Sequence, residues 1–128
     1  AKEVVKKYTP FLDEIDLTYT QYITMMVLWE RGSATVKELG EYLYLDSGTL
    51  TPLLKRLESK KLISRRRSLE DERQVDVFIT AEGNRLKEKA LSIPGKIGEC
   101  IALDPEDAKT LYTLLYKLLG RGGVADWL

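Results

Sequence analysis

Apolar residues recur along this chain at two distinct periods, and the order of those periods predicts its elements. From residue 19 the run YTQYITMMVLWERG places Tyr22, Ile23, Met26, Val27 and Trp29 or Glu30 at helical spacing. It stops at Gly32, a common helix terminator, with Thr18 or Thr20 as the cap. Thr35 then precedes VKELGEYL, and Glu38 follows it three residues on, so cap and carboxylate can satisfy each other's backbone N–H groups. A short link, Tyr44-Leu45-Asp46, leads into SGTLTPLLKRLESKK, where Leu50, Leu53, Leu54 and Leu57 commit one helical face to a core. Asp46 or Ser47 caps this helix, and Pro52, which lacks an N–H, requires a start near residues 47–49. The period then changes to two. LISRRRS, a charged loop SLEDERQ and VDVFIT, with Val75, Val77 and Ile79 alternating against Asp76, Phe78 and Thr80, predict a β-hairpin. Two short helices joined by a tight link, followed by a hairpin, make a winged helix-turn-helix.

The flanks are helical. Residues 1–7 carry Val4 and Val5 on an apolar side, and Pro10 interrupts the helix or starts a new turn. The helical pattern opens at Ala1 with no capping residue, which predicts a segment ahead of it. Residues 81–100 place Leu86, Ala90 and Ile93 on one face, and Pro94-Gly95 is expected to kink or break that helix. Asp104 caps PEDAKTLYTLLYKLL, whose stripe of Leu111, Leu114, Leu115, Leu118 and Leu119 needs a partner surface, plausibly a second copy of the chain. The fold class expected is mainly α with a small β-hairpin wing. The DNA-binding lobe spans residues 18–80, dimerisation helices lie at 1–16 and 81–119, and a glycine-containing flexible tail occupies 120–128.

Composition narrows the chemistry. With 128 residues, 44% of them hydrophobic and 31% charged, the chain has the make-up of one ordinary globular domain. It has no histidine, so zinc sites and histidine-based catalysis are not expected; neither a metal, a cofactor nor catalytic residues are assigned. Cys100 is the single cysteine, which excludes an internal disulfide and makes a reducing, cytoplasmic setting the default. Only Glu99 and apolar residues neighbour it in sequence, which disfavours a thiolate and argues against a thiol peroxidase.

The formal net charge is zero, yet its distribution is uneven. Residues 51–75 hold eight bases (Lys55, Arg56, Lys60, Lys61, Arg65, Arg66, Arg67 and Arg73) against four acids (Glu58, Glu70, Asp71 and Glu72). A basic head on an acidic body suits a nucleic-acid reader. A recognition helix puts its N-terminal residues against base edges in the major groove. Here those are Ser47, Gly48, Thr49, Thr51 and Pro52, with Lys55 and Arg56 one turn on. Hydroxyls serve bases or phosphates, and Thr methyls and the Pro ring meet thymine methyls. In the wing, strand alternation puts Arg66 on the opposite face from Arg65 and Arg67. Arg73 at the loop tip is best placed for a narrow minor groove, unless a salt bridge to Asp71 pins it.

These residues resemble a family. DERQVDVFIT, residues 71–80, is similar to the wing signature of the MarR family, in which an Asp, a following Arg and a strand ending in Thr recur; Asp71, Arg73, Val77, Ile79 and Thr80 fit it. YLDSGTLTPLLKRLE, residues 44–58, resembles the recognition helix of the organic-hydroperoxide-sensing (OhrR-like) branch and its SarZ/MgrA-like staphylococcal relatives. LTYTQY at 17–22 and KKYTPFL at 6–12 resemble the same branch. The resemblance implies a homodimer held by its terminal helices, a repressor on an inverted-repeat operator in double-stranded DNA, and release by an organic hydroperoxide. It places the peroxide-reactive cysteine a few residues before the position of Ala1, outside this sequence. It assigns Tyr8 and Tyr19 to the tyrosines that hydrogen-bond that thiol, and Cys100 to a position that some members use to resolve the sulfenic acid. Two alternatives compete. One is a MarR-type repressor released by a small aromatic or phenolic ligand near Tyr8, Tyr19 and Trp29, and the other is a winged helix used only for protein contacts.

Overall fold

A computed structural model describes residues 1–120; residues 121–128, most of the stretch read as a tail, lie outside the described residues. The chain divides into two compact units, Ala1–Ile93 and a second beginning at Pro94. The first unit holds Lys2–Lys6 (α1), Thr9–Asp13 (α2), Tyr19–Arg31 (α3), Ser33–Thr35 (β1), Val36–Leu43 (α4), Ser47–Ser59 (α5), Ile63–Arg67 (β2), Val75–Ile79 (β3) and Ala81–Ala90 (α6). Ile93–Cys100 (α7) and Pro105–Leu118 (α8) follow.

Cap chemistry sets the starts of the helices. Thr18, not Thr20, caps α3, accepting from the Gln21 N–H while the Gln21 side chain accepts from the Thr18 N–H at 3.1 Å. Thr35 and Glu38 close the same reciprocal pair on α4. Asp46, not Ser47, caps α5, with the Thr49 N–H donating to its carboxylate at 2.8 Å. Leu50, Leu53, Leu54 and Leu57 are all buried. Pro52 sits inside α5, past its first turn, and removes one helical N–H at a cost of about 3 kcal/mol. Four buried leucines, each contributing roughly 1.5–3 kcal/mol, outweigh that loss.

Three features depart from the sequence pattern. The hairpin is part of a three-stranded antiparallel sheet, ordered β1-β3-β2, in which Ala34 and Arg65 both flank Val77. The three residues of β1 are too few for an alternation to register, and Thr35 reads equally well as a cap. The buried face of α3 comprises Gln21, Tyr22, Thr24, Met25 and Leu28, whereas Met26, expected inside, is 42% exposed. Polar Gln21 and Thr24 tolerate burial because their hydrogen bonds are made, Thr24 donating to the Thr20 carbonyl at 2.7 Å. The helix expected over residues 81–100 breaks at Leu91–Ser92, ahead of Pro94-Gly95. Proline is tolerated in a first turn, where no N–H is needed, so α7 restarts at Ile93 and takes Pro94 there.

Taken by itself, α8 is capped by Asp104, which accepts from the Asp107 N–H at 2.8 Å, with Pro105 in the first turn. Leu111, Leu114, Leu115, Leu118 and Leu119 are exposed, while Tyr112 and Tyr116 bring their rings to 4.5 Å. Among the described residues no helix is long and apolar enough to cross a membrane.

Candidate nucleic-acid interface

The leucine face of α5 faces the core, so its opposite side is free. Ser47, Gly48, Thr49, Thr51, Pro52, Lys55 and Arg56 are all exposed, as expected of residues outside a buried stripe. Lys55 and Arg56 form no ion pair among the described residues. The Thr49 N–H holds the Asp46 carboxyl below its ordinary 3.8, so the cap stays ionised at neutral pH. Beside this surface lies a groove of about 890 Å³ between α4, α5 and the hairpin, lined by Thr35, Lys37, Ser47, Thr51, Arg65 and Arg73 among others.

The wing arginines separate by face. Arg65 lies opposite Val77 in the ladder and turns toward α5, where its guanidinium meets the Glu58 carboxylate at 3.1 Å. That guanidinium holds the Glu58 carboxyl below its usual 4.5. Arg65 therefore joins α5 to the wing. Arg66, on the other face, lays its guanidinium 4.4 Å above the Phe78 ring and is exposed. Arg67 donates to the Glu72 carbonyl at 2.7 Å, which closes the loop instead of leaving that side chain free. At the tip the Arg73 side chain is 94% exposed. Asp71 accepts from the Arg73 N–H at 3.0 Å and lies 3.5 Å from its guanidinium. The expected salt bridge to Asp71 is therefore made, and Asp71 also shapes the loop, while the guanidinium remains presented to solvent.

Sequence reasoning counted Lys60 among the bases of the head. Its ammonium instead turns away, onto the Asp16 carbonyl and the Gln21 side chain. It also missed the Glu58–Arg65 pair, whose only signal is an acid near the end of the helix seven residues before the first wing arginine. Thr80 takes two roles that its place at a strand end left hidden. It donates to the Lys61 carbonyl at 2.7 Å and accepts from the Gly83 N–H at 3.0 Å, tying the sheet to α6.

The aromatic residues assigned to sensing lie together within the first unit. Tyr8 and Tyr19 meet edge to face at 5.1 Å, and Tyr22 lies 6.1 Å from Tyr8 and 6.2 Å from Trp29. Burial, and secondarily the neighbouring Tyr19, pushes the Tyr8 phenol above its ordinary 10.0; burial does the same for Tyr22. Both therefore keep their protons, and remain donors, at neutral pH. The Trp29 ring N–H is already used, donating to the Gly83 carbonyl at 2.8 Å. Cys100, in the last turn of α7, is exposed.

The family described as transcriptional regulator SarA/Rot matches residues 6–90. The chain is similar to the organic hydroperoxide resistance transcriptional regulator of Bacillus subtilis, 51% identical over 119 residues that make up 93% of this chain and 81% of that protein. Among solved structures it is similar to reduced AbfR bound to DNA, with a TM-score of 0.79 and 31% identity over 93% of this chain and 82% of that one. AbfR is a protein of Staphylococcus epidermidis. It is also similar to a mutant of MarR from E. coli complexed with operator DNA, with a TM-score of 0.82 and 26% identity over 92% of this chain and 86% of that one. With its helix-turn-helix, its wing and these likenesses in hand, the chain belongs to the MarR-type transcriptional regulators, within the SarA/Rot family and the branch of the organic hydroperoxide resistance regulators.

Proposed function

We propose that this chain is a homodimeric repressor that reads an inverted-repeat operator and releases it when an organic hydroperoxide oxidises a cysteine. The observation that carries the DNA-binding reading is the exposed polar start of α5 beside a groove lined at its other end by Arg73, whose guanidinium is solvent-exposed. In this reading Ser47, Thr49, Thr51 and Pro52 meet base edges in the major groove. Lys55, Arg56 and Arg66 neutralise phosphates, and Arg73 enters the adjacent minor groove. Two such heads in a dimer occupy successive major grooves about 34–36 Å apart. The exposed leucines of α8 supply an apolar face suited to a second copy.

The redox reading draws support from the hydroperoxide regulator named above and from the tyrosine cluster. A thiolate ahead of Ala1 attacks the peroxide, becoming a sulfenic acid and releasing an alcohol. Tyr8 and Tyr19 donate to that thiolate and favour its ionised form. Condensation of the sulfenic acid with the Cys100 thiol of the other subunit forms a disulfide and releases water. The exposure of Cys100 leaves its sulfur accessible to such a partner. The terminal helices then shift, the spacing of the two heads changes, and one half-site is lost.

The test treats the intact regulator on operator DNA with cumene hydroperoxide and, in parallel, with salicylate. Release by the peroxide alone, reversed by dithiothreitol, is the expected result; release by salicylate alone supports the small-ligand alternative and contradicts this one. Cys100→Ser is expected to abolish the intersubunit crosslink on a non-reducing gel. The same crosslinked dimer in that variant removes Cys100 from the chemistry.

A further inference from the structure

The last turn of α5 is held from two sides. On one side Glu58 grips the wing through Arg65 at 3.1 Å. On the other, Lys60, the residue that terminates α5, reaches across to the turn between α2 and α3. Its ammonium donates to the Asp16 carbonyl and, at 3.0 Å, to the Gln21 side-chain oxygen, and the Asp16 carboxylate lies 3.8 Å away. The Lys60 side chain is only 32% exposed, whereas that of Asp16 is 97% exposed. The lysine has therefore given up much of its hydration, and an ammonium does so only where fixed acceptors replace the water. Two hydrogen bonds and one ion pair thus direct the ammonium to this junction and away from the DNA-facing side of α5.

The acceptors sit at an informative place. Asp16 occupies the left-handed region, with φ at 53°, and makes the reversal from α2 into α3. The Gln21 oxygen that receives Lys60 is the same atom that accepts the Thr18 N–H and so caps α3. Tyr8 stands at the N-cap of α2 and Tyr19 opens α3. The two tyrosines in edge-to-face contact thus lie on the two helices whose junction Lys60 grips. A solvated loop at this junction absorbs a small movement of α2 against α3, whereas a junction pinned by a charged side chain passes it on.

We infer that Lys60 is a positioning residue that couples the tyrosine-bearing helices α2 and α3 to the recognition helix α5. Its charge serves this junction and not the DNA surface. The inference rests on the reading of α5 as the DNA-reading helix. The junction itself can be tested without DNA.

Hydrogen–deuterium exchange on the intact regulator provides the test. Lys60→Met keeps most of the stem and removes all three donors. It is expected to raise exchange at the amides of Ile15, Leu17 and Thr18 on the order of tenfold, the effect of one lost charge-assisted network, while the wing amides stay unchanged. Lys60→Arg is expected to restore most of the protection. With an inverted-repeat operator bound, the parent protein gains protection at this remote turn as well as in α5, and Lys60→Met gains it in α5 alone. If Lys60→Met fails to fold, Asp16→Asn, which keeps the backbone carbonyl and removes only the carboxylate, is expected to give a smaller rise at the same amides. Unchanged exchange at the turn in whichever variant folds overturns the inference. Failure of the parent to bind DNA contradicts the functional reading instead, and leaves the DNA-free arm to decide the junction.

Discussion

Gly83→Ala is expected to destabilise the first unit by about 3 kcal/mol, the upper range of overpacking effects. A Cβ built at Gly83 falls 2.3 Å from the Leu62 carbonyl oxygen, 2.8 Å from an Ile79 side-chain carbon and 3.2 Å from the end of Met25. The side chain of Met25 can move. The carbonyl of Leu62 cannot, because it already accepts the Thr80 N–H that joins the hairpin to α6. A methyl group therefore forces α6 away from the sheet, stretching the Thr80–Gly83 cap and the Trp29–Gly83 hydrogen bond together. In a urea titration the midpoint falls with the slope unchanged. A variant as stable as the parent contradicts the close backbone approach of α6.

Arg73→Ala is expected to weaken operator binding by roughly 1–3 kcal/mol, or about five- to 150-fold. The side chain is exposed, and the carboxylate beside it, Asp71, is also tied to the backbone of the loop. Truncation therefore removes the proposed DNA contact without collapsing the wing. The Glu58–Arg65 pair and the β2–β3 ladder are untouched, so the melting temperature stays near that of the parent. Arg73→Lys keeps the charge but loses the planar fork, and a partial loss is expected. In an anisotropy titration at fixed salt, unchanged affinity for Arg73→Ala removes this residue from the interface.

Much of this fold was legible because it is written in short periods. Four leucines at 50, 53, 54 and 57 mark both the helix and its buried side, and thereby which residues of α5 remain free. The Thr35–Glu38 box locates the start of α4 to the residue. What stayed hidden depends on contacts between distant segments. Lys60 reads as one more base on a basic stretch until its partners 39 and 44 residues earlier are known. Gln21 and Thr24 read as surface positions because hydropathy does not register a hydrogen bond that is already made. The same limit rotated the expected face of α3 and placed Met26 inside. Arg65 and Arg66 were separated correctly by alternation, yet only the pairing with Glu58 and the stacking on Phe78 tell which one is structural. The proposed sensing role of Tyr8 and Tyr19 comes from resemblance alone, and the structure adds that their rings meet edge to face.

The exposed start of α5 and the wing are proposed to form a DNA-reading surface on a chain of zero net charge. A salt-dependent binding titration tests it most directly, comparing an inverted-repeat operator with a scrambled duplex at several salt concentrations. Preference for the operator is expected, with a linear fall in the logarithm of affinity against the logarithm of salt, its slope set by the phosphates that Lys55, Arg56 and Arg66 are proposed to neutralise. Equal binding of both duplexes, or affinity that does not change with salt, contradicts it.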